Sequence, residues 1–369
     1  MVYFNPLMPY YTKLTAHTAR IAFTLVIAVA AAALCVQWRT PLPWMIGPLV
    51  ATSVLSMLGA PTASHTPLRN LGQWVIGAAL GLYFTPPVVA LVLGLWWAMA
   101  LNVVWALGLG VAFGSWLHRV HHGPGVFHIT GLSRTTCYFA SPIGGASEMT
   151  LMAERRGAQT ELVASSHSLR VLLVTLIIPF SFQFAGLHGL DITPPGPRVV
   201  NGPGLAALGA LTGAGCWLLV KLKLTNPWFL GALAASMAVT ASGQTLSAIP
   251  TWTTNAAQLV IGISLGVRFT RSFVHLAPRW LASVALGTLA MIGLCAGFAA
   301  VVAWATDLPW ATVLLGTSPG GIAEMAITAK VLQLGVPLVT AFHVTRLAAV
   351  LLLAEPIYRW LQPGGAKTF

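Results

Sequence analysis

Charge is what this chain of 369 residues has least of: 7% of its residues are Asp, Glu, Lys or Arg, and only seven are acidic. Water-soluble domains carry roughly 25% charged residues, so a water-facing surface of ordinary size cannot be built. That excludes a soluble enzyme and a disordered protein alike. Cysteine is scarce as well. Cys35, Cys137, Cys216 and Cys295 all fall within apolar stretches and show no disulfide or zinc spacing. They read as small buried hydrophobes, and a secreted disulfide scaffold is excluded. No Walker loop, nucleophile elbow or zincin motif is present, so no enzyme activity, metal or organic cofactor is expected.

What is there is apolar. Hydrophobic residues make up 57% of the chain and the mean hydropathy is +0.81. The 36 glycines and 24 prolines lie inside the apolar stretches rather than between them, as transmembrane helices tolerate. Ten spans of about 20 residues use roughly 200 residues, and two broken segments about 60 more, leaving only short loops. The net charge of +12 would suggest nucleic acid as a partner for a soluble protein. Here the basic residues stand singly or in pairs at span ends, the footprint of the positive-inside rule. The expected surroundings are a lipid bilayer, with no nucleic acid. Residues 21–36 could pass for a signal peptide, but their counterpart later in the chain is an ordinary span, so they read as retained.

An internal repeat organises the sequence. Pro43-Trp44-Met45-Ile46-Gly47 opens one span and Pro227-Trp228-Phe229-Leu230-Gly231 another. Gln73-Trp74-Val75-Ile76-Gly77, leading to Gly81 and Phe84-Thr85, matches Gln258-Leu259-Val260-Ile261-Gly262, leading to Gly266 and Phe269-Thr270. Ser141-Pro142-Ile143-Gly144-Gly145-Ala146-Ser147-Glu148-Met149 matches Ser318-Pro319-Gly320-Gly321-Ile322-Ala323-Glu324-Met325, with one residue fewer. His167 and Arg170 lie 19 and 22 residues after Glu148, and His343 and Arg346 lie 19 and 22 after Glu324. Four blocks in the same order leave chance no role.

Each half therefore reads as five spans and one broken segment. The first has spans at 20–38, 42–60, 68–84, 87–117 and 161–184, with the break in 131–156. The second has 203–222, 227–243, 252–270, 279–305 and 337–361, with the break in 309–333. A cytoplasmic segment at 1–19, an external linker at 185–202 and a cytoplasmic tail at 362–369 complete the chain. Proline followed by paired glycines removes a helix donor and two helix formers. The break then either crosses the bilayer as two half-helices or turns back as a re-entrant hairpin. With hairpins and an internal N-terminus, basic residues divide 13 inside to 3 outside, the three being Arg39, Arg198 and Lys330. With crossings the division is 7 to 9. The positive-inside rule selects hairpins. Five spans and a hairpin make an odd number of crossings, so the repeats are expected to be inverted.

Inverted repeats with discontinuous helices are the architecture of secondary transporters, with the site at the midplane where the breaks meet. Arg170 and Arg346 each lie nine residues into their spans, entering from opposite faces. The duplicated Glu148 and Glu324 stand just beyond the breaks. A charge at that depth costs at least about 2.5 kcal/mol, so it needs a partner or a proton. They read as carriers of a coupling proton or sodium or as substrate contacts; the bland reading locks them to Arg346 or Arg170. His167 with Arg170, and His343 with Arg346, share a helix face. An arginine fork suits a carboxylate or phosphate, and half-helix ends expose N–H groups that favour an anion. The expected site comprises Ser141, Pro142, Gly144, Gly145, Glu148, His167 and Arg170, with Ser318, Pro319, Gly320, Gly321, Glu324, His343 and Arg346. The Gly77/Gly81 and Gly262/Gly266 pairs read as close helix packing. His118, His121, His122 and His128 read as a solvated cytoplasmic loop.

At the paired Pro-x-Gly-Gly-x-x-Glu-Met blocks the sequence resembles the AbrB family of bacterial inner-membrane proteins, over nearly the whole chain. Members of that family carry the labels transporter, regulator of gene expression and ammonia monooxygenase. The family is similar at fold level to the clan of cation–proton antiporters and anion transporters, which implies a scaffold part and a moving part. It supplies no catalytic residues to carry over. Ile143, present only in the first block, weakens the expected pseudo-symmetry. The expectation is a secondary transporter for a small polar or anionic solute in the inner membrane, with both termini cytoplasmic and room for a homodimer. A regulator without transport is the alternative, with the loop near 118–128 as its output surface. A monooxygenase would need a ligand cluster, and His167 and His343 have no third ligand at useful spacing.

Overall fold

The computed structural model describes residues 8–361 apart from 124, 130, 188 and 190–198. Residues 1–7 of the expected N-terminal segment, the whole of the expected tail (362–369) and most of the linker lie outside the described residues. The described chain is all helical, in the order α1 (Met8–Gln37), α2 (Pro43–Met57), α3 (Thr66–Gly81), α4 (Pro86–Gly94), α5 (Trp96–His122), α6 (Arg134–Phe139), α7 (Ala146–Arg155) and α8 (Thr160–Phe184). There follow α9 (Gly202–Lys221), α10 (Pro227–Ala241), α11 (Thr251–Gly266), α12 (Arg271–Leu276), α13 (Pro278–Thr306), α14 (Trp310–Thr317), α15 (Ile322–Val331) and α16 (Val336–Leu361).

Among the described residues six helices are long and apolar enough to cross a membrane: α1, α5, α8, α9, α13 and α16. The chain is a polytopic helical membrane protein. Four of the ten expected spans are shorter. At 15 or 16 residues, α2, α3, α10 and α11 reach about 22–24 Å at 1.5 Å per residue. Two of them, α2 and α10, start at backbone that cannot continue the helix outward. Leu42 and Asn226, both left-handed at φ 47° and 49°, precede Pro43 and Pro227, and proline is preorganised for a first helical position. The expected span 87–117 is two helices instead. α4 and α5 part at Leu95, and α4 turns 89° away from α3.

The sequence repeat recurs in the backbone. Arg39 and Lys223 are left-handed (φ 51° and 53°), as are Gly131 and Asp307 (78° and 54°), and Gly157 and Gln333 (65° and 55°). The helices form two groups. In one, the halves pair crosswise, α3 on α10 and α11 on α2, with α1 and α9 outside. The duplicated glycines set that contact. A Cβ on Gly77 would lie 3.1 Å from Ala232 Cβ and against the Phe229 carbonyl; one on Gly262 would lie 3.2 Å from Pro48 Cβ and against the Met45 carbonyl. Small residues let helix backbones approach this closely. The apolar stretches of α1 and α9 are mostly exposed, which turns those helices outward. The second group holds α5–α8 and α13–α16, with α8 and α16 at its centre and a Trp105–Phe298 stack at 4.6 Å between α5 and α13.

Both broken segments have their two ends side by side. Gln159, just after α7, donates from its backbone N–H to Thr136 Oγ1 at the start of α6 (3.0 Å). In the second half Gly335, just before α16, packs on Thr312 at the start of α14. The mouth of the first hairpin is fastened to the C-terminal end of α16 by Thr135 to Tyr358 (3.0 Å) and by an Arg156–Glu355 ion pair. The mouth of the second lies at the other end of α16 and against the C-terminal end of α8, through Trp310 on Phe182.

Candidate functional site

At the tip of the first hairpin five successive carbonyls, those of residues 138–142, accept from side chains. Ser141 Oγ donates to the Tyr138 carbonyl (2.7 Å), His167 Nε2 to that of Phe139 (2.9 Å) and Ser166 Oγ to that of Ala140 (2.9 Å). Arg170 Nη1 donates to the Ser141 carbonyl (3.0 Å) and Nη2 to the Pro142 carbonyl (2.6 Å). Nη2 also donates to His167 Nδ1 (2.7 Å). The second hairpin repeats the device. His343 Nε2 donates to the Leu315 carbonyl (2.8 Å), and Arg346 donates to the carbonyls of Ser318 (2.5 Å) and Gly320 (2.8 Å) and to His343 Nδ1 (2.9 Å). All four side chains are buried, none more than 2% exposed. A helix C-terminus leaves carbonyls without intrahelical partners and carries partial negative charge. A buried guanidinium answers both deficits at once, and its planar fork spans two carbonyls where an ammonium would meet one.

The second half of each hairpin starts with the complementary device. Glu148 and Glu324 are the third residues of α7 and α15, where a carboxylate is favoured by the helix dipole. Glu148 Oε2 would lie 3.4 Å from a Cβ on Gly145, and a Cβ on Gly321 would collide with the Glu324 carboxylate. Among the described residues the ion pairs are those of Glu355 with Arg156 and Arg359; neither hairpin glutamate is locked to Arg170 or Arg346. The two breaks differ in one respect. Both segments have the same number of residues between the left-handed Gly131 or Asp307 and the glutamate, so Ser-Pro is shifted by one place rather than a residue being lost. The first break takes up the shift with two left-handed glycines, Gly144 (φ 124°) and Gly145 (61°), whereas Gly321 is extended (φ −81°).

The two tips meet in one cavity of about 220 Å³ between the helix groups. Of the residues expected at the site, Gly144, Gly145, Glu148, Gly320, Gly321, Glu324, His343 and Arg346 line it. Ser141, Pro142, Ser318, Pro319, His167 and Arg170 stand behind it, Ser141 packing on Gly114 of α5. The opposite wall was not foreseen: Arg69 and Gln73 from α3, Asn226 before α10, Ser264 on α11, and Arg268 just after it. Arg69 and Arg268 make no ion pair among the described residues, and both lie within electrostatic reach of Glu324. In the repeat they align with Thr254 and Tyr83, so neither is duplicated. That asymmetry was the available signal; as single basic residues near span ends they read as topology markers instead. A wider vestibule of about 730 Å³ shares Ala146, Ser147 and Arg268 with the cavity and is otherwise lined by Glu161, Ser165, Ser168, Thr270 and Ser272 among others. Among the described residues no group of three or more His, Cys, Asp or Glu converges as a metal site would.

The family model described as "Transition state regulatory protein AbrB" matches residues 44–362, both hairpins included. The chain belongs to the AbrB family. Two relatives in that family extend the likeness over nearly whole chains. The uncharacterized protein YhjN of Bacillus subtilis (strain 168) is 26% identical over 345 residues, covering 86% of this chain and 87% of the relative. A protein of Escherichia coli (strain K12), provisionally named regulator AbrB, is 25% identical over 336 residues, covering 89% and 92%. No solved structure matches this AbrB-family chain.

Proposed function

We propose that the protein is a secondary transporter that moves a small polar or anionic solute across the inner membrane by alternating access. The observation that carries this reading is the single polar cavity at the meeting point of two broken helices, walled on one side by the crosswise group and on the other by the hairpin group. Nothing in a merely structural membrane protein calls for two glutamates and three arginines around an open space at that depth, since each charge is costly there. The hairpins enter from opposite ends of α8 and α16, which supports inverted repeats. Displacement of the hairpin group against the crosswise group would then open the cavity to either side. The vestibule lies at the end that carries Arg155, Arg156 and Arg271. By the positive-inside rule that end is cytoplasmic, so this conformation faces inward.

The printed name of the Escherichia coli relative points to regulation. A regulator without transport needs a cavity that stays on one side. Two cysteines separate the readings, Ser168→Cys in the vestibule and Ser264→Cys in the cavity wall, labelled with membrane-impermeant maleimide from each side of oriented vesicles. Transport predicts that Ser168→Cys is labelled from the cytoplasmic side, and Ser264→Cys from both sides. Labelling of Ser264→Cys from one side under every condition overturns the transport reading.

A further inference from the structure

Arg170 and Arg346 commit their η nitrogens to backbone carbonyls, which leaves solute binding to other cations. Arg69 and Arg268 reach the same cavity with no carboxylate partner. Arg346 also lines it, and its Nε is buried without a hydrogen-bond partner. The two carboxylates of the cavity, Glu148 and Glu324, are on the opposite wall, each over its own helix start. Facing them are Arg69 from α3, Arg268 after α11, His343 and Arg346 from α16, and, behind the tips, His167 and Arg170 from α8. The two histidines accept from arginine through Nδ1 and donate through Nε2, so they stand neutral and add no charge. Counting lining groups, the cavity carries one net positive charge when both glutamates are ionised and three when both are protonated.

We propose that this cavity binds a small carboxylate or oxyanion between Arg69 and Arg268, and that protonation of Glu148 and Glu324 accompanies its binding, making the site one for proton–anion symport. The proposal deepens the transport reading and rests on it. Removing two negative charges from the anion's surroundings raises anion affinity, and by linkage the bound anion favours the protons equally. Both ligands then travel together, and the anion lowers the charge of the doubly protonated cavity from its value of three. A space of about 220 Å³ suits a small solute.

The test measures the sign of the cavity's potential without knowing the solute. Ala146→Cys, at the junction of cavity and vestibule, is placed in a Cys35→Ala background, the other three cysteines being buried. Its reaction with an anionic (sulfonatoethyl) and a cationic (trimethylammonioethyl) methanethiosulfonate is compared with that of a free thiol. The anionic reagent is expected to be favoured by about tenfold or more, and more at lower pH than at higher pH. Arg69→Gln and Arg268→Gln should each reduce the preference several-fold, while Arg69→Lys, the folding control, keeps it. Glu148→Gln with Glu324→Gln should raise it and abolish its pH dependence. Succinate or sulfate at millimolar concentration should slow the reaction, more strongly at the lower pH, the effective one telling an organic from an inorganic anion. A cation preference, insensitivity to both arginine substitutions, or no protection by either anion overturns the proposal. Two-sided access with a cation preference would sink the anion site and leave transport standing. One-sided access with an anion preference would do the reverse.

Discussion

Arg346 Nη2 donates to His343 Nδ1 at 2.9 Å, and that one contact fixes the proton of the imidazole on Nε2, which donates to the Leu315 carbonyl. The pair recurs as Arg170 and His167. Histidine is here a spacer with one acceptor and one donor, holding its arginine against the end of a half-helix. A primary amide has the same two functions. His343→Gln should therefore fold and keep most of its thermal stability in detergent. His343→Leu, which leaves one carbonyl and one guanidinium N–H unpaired, should lose about 2–4 kcal/mol. Equal loss in both variants would refute the spacer role.

Arg170→Gln and Arg346→Gln remove a buried cation that two or more carbonyls depend on. Each should cost about 2–5 kcal/mol, well beyond a surface charge. Arg→Lys should recover only part of it, because a point charge cannot span both carbonyls. Denaturation midpoints of the purified variants measure this. If both Gln variants keep wild-type midpoints, the clamps are not structural, and the arginines are free to act on the solute.

Glu148→Gln and Glu324→Gln preserve shape at a helix start but cannot exchange a proton. Folded protein is expected from both, with uptake into proteoliposomes that no longer responds to a pH gradient. Preserved pH-driven uptake in the double variant would refute their part in coupling.

The helix contacts give a prediction that needs no substrate. Gly77→Val and Gly262→Val push a branched side chain into the backbone of α10 and of α2, and should cost about 1–3 kcal/mol or prevent folding. Gly108→Ala, where a Cβ meets nothing within 4 Å, should be neutral or stabilising by up to about 1 kcal/mol. Fluorescence-detected size exclusion after heating ranks the three.

The helical membrane class, the repeat and the position of both breaks were legible because they rest on local chemistry: apolar runs, Pro-Gly-Gly, duplicated blocks. The role of Gly77 and Gly262 was legible too, since only small residues permit such an approach. The arginine clamps were not. His167 and Arg170 announce a shared helix face, but nothing in their spacing says that the partner is the carbonyl row of residues 139–142, 28 residues away. Arg69 and Arg268 were hidden for a different reason. A basic residue near a span end has a sufficient explanation in topology, and only the packing of α3 and α11 against the hairpin group turns both toward the cavity. The split of 87–117 at Leu95 and the 89° corner between α3 and α4 were hidden because hydropathy is blind to direction, and neither costs an apolar residue.

Sealing both breaks has a mechanical consequence. A hairpin tip whose carbonyls are tied to α8 or α16 cannot flex at its glycines without breaking several buried hydrogen bonds, so each tip travels with the helix that clamps it. Compliance must then sit where the chain passes between the two helix groups. Two of those passages are the same motif, Phe84-Thr85 before α4 and Phe269-Thr270 before α12, and their threonines share one extended geometry: φ −67°, ψ 161° for Thr85 and φ −71°, ψ 165° for Thr270. Such a pair of matched corners is where a rocking body would find its pivots, rather than at the Pro-Gly-Gly turns of the two hairpin tips.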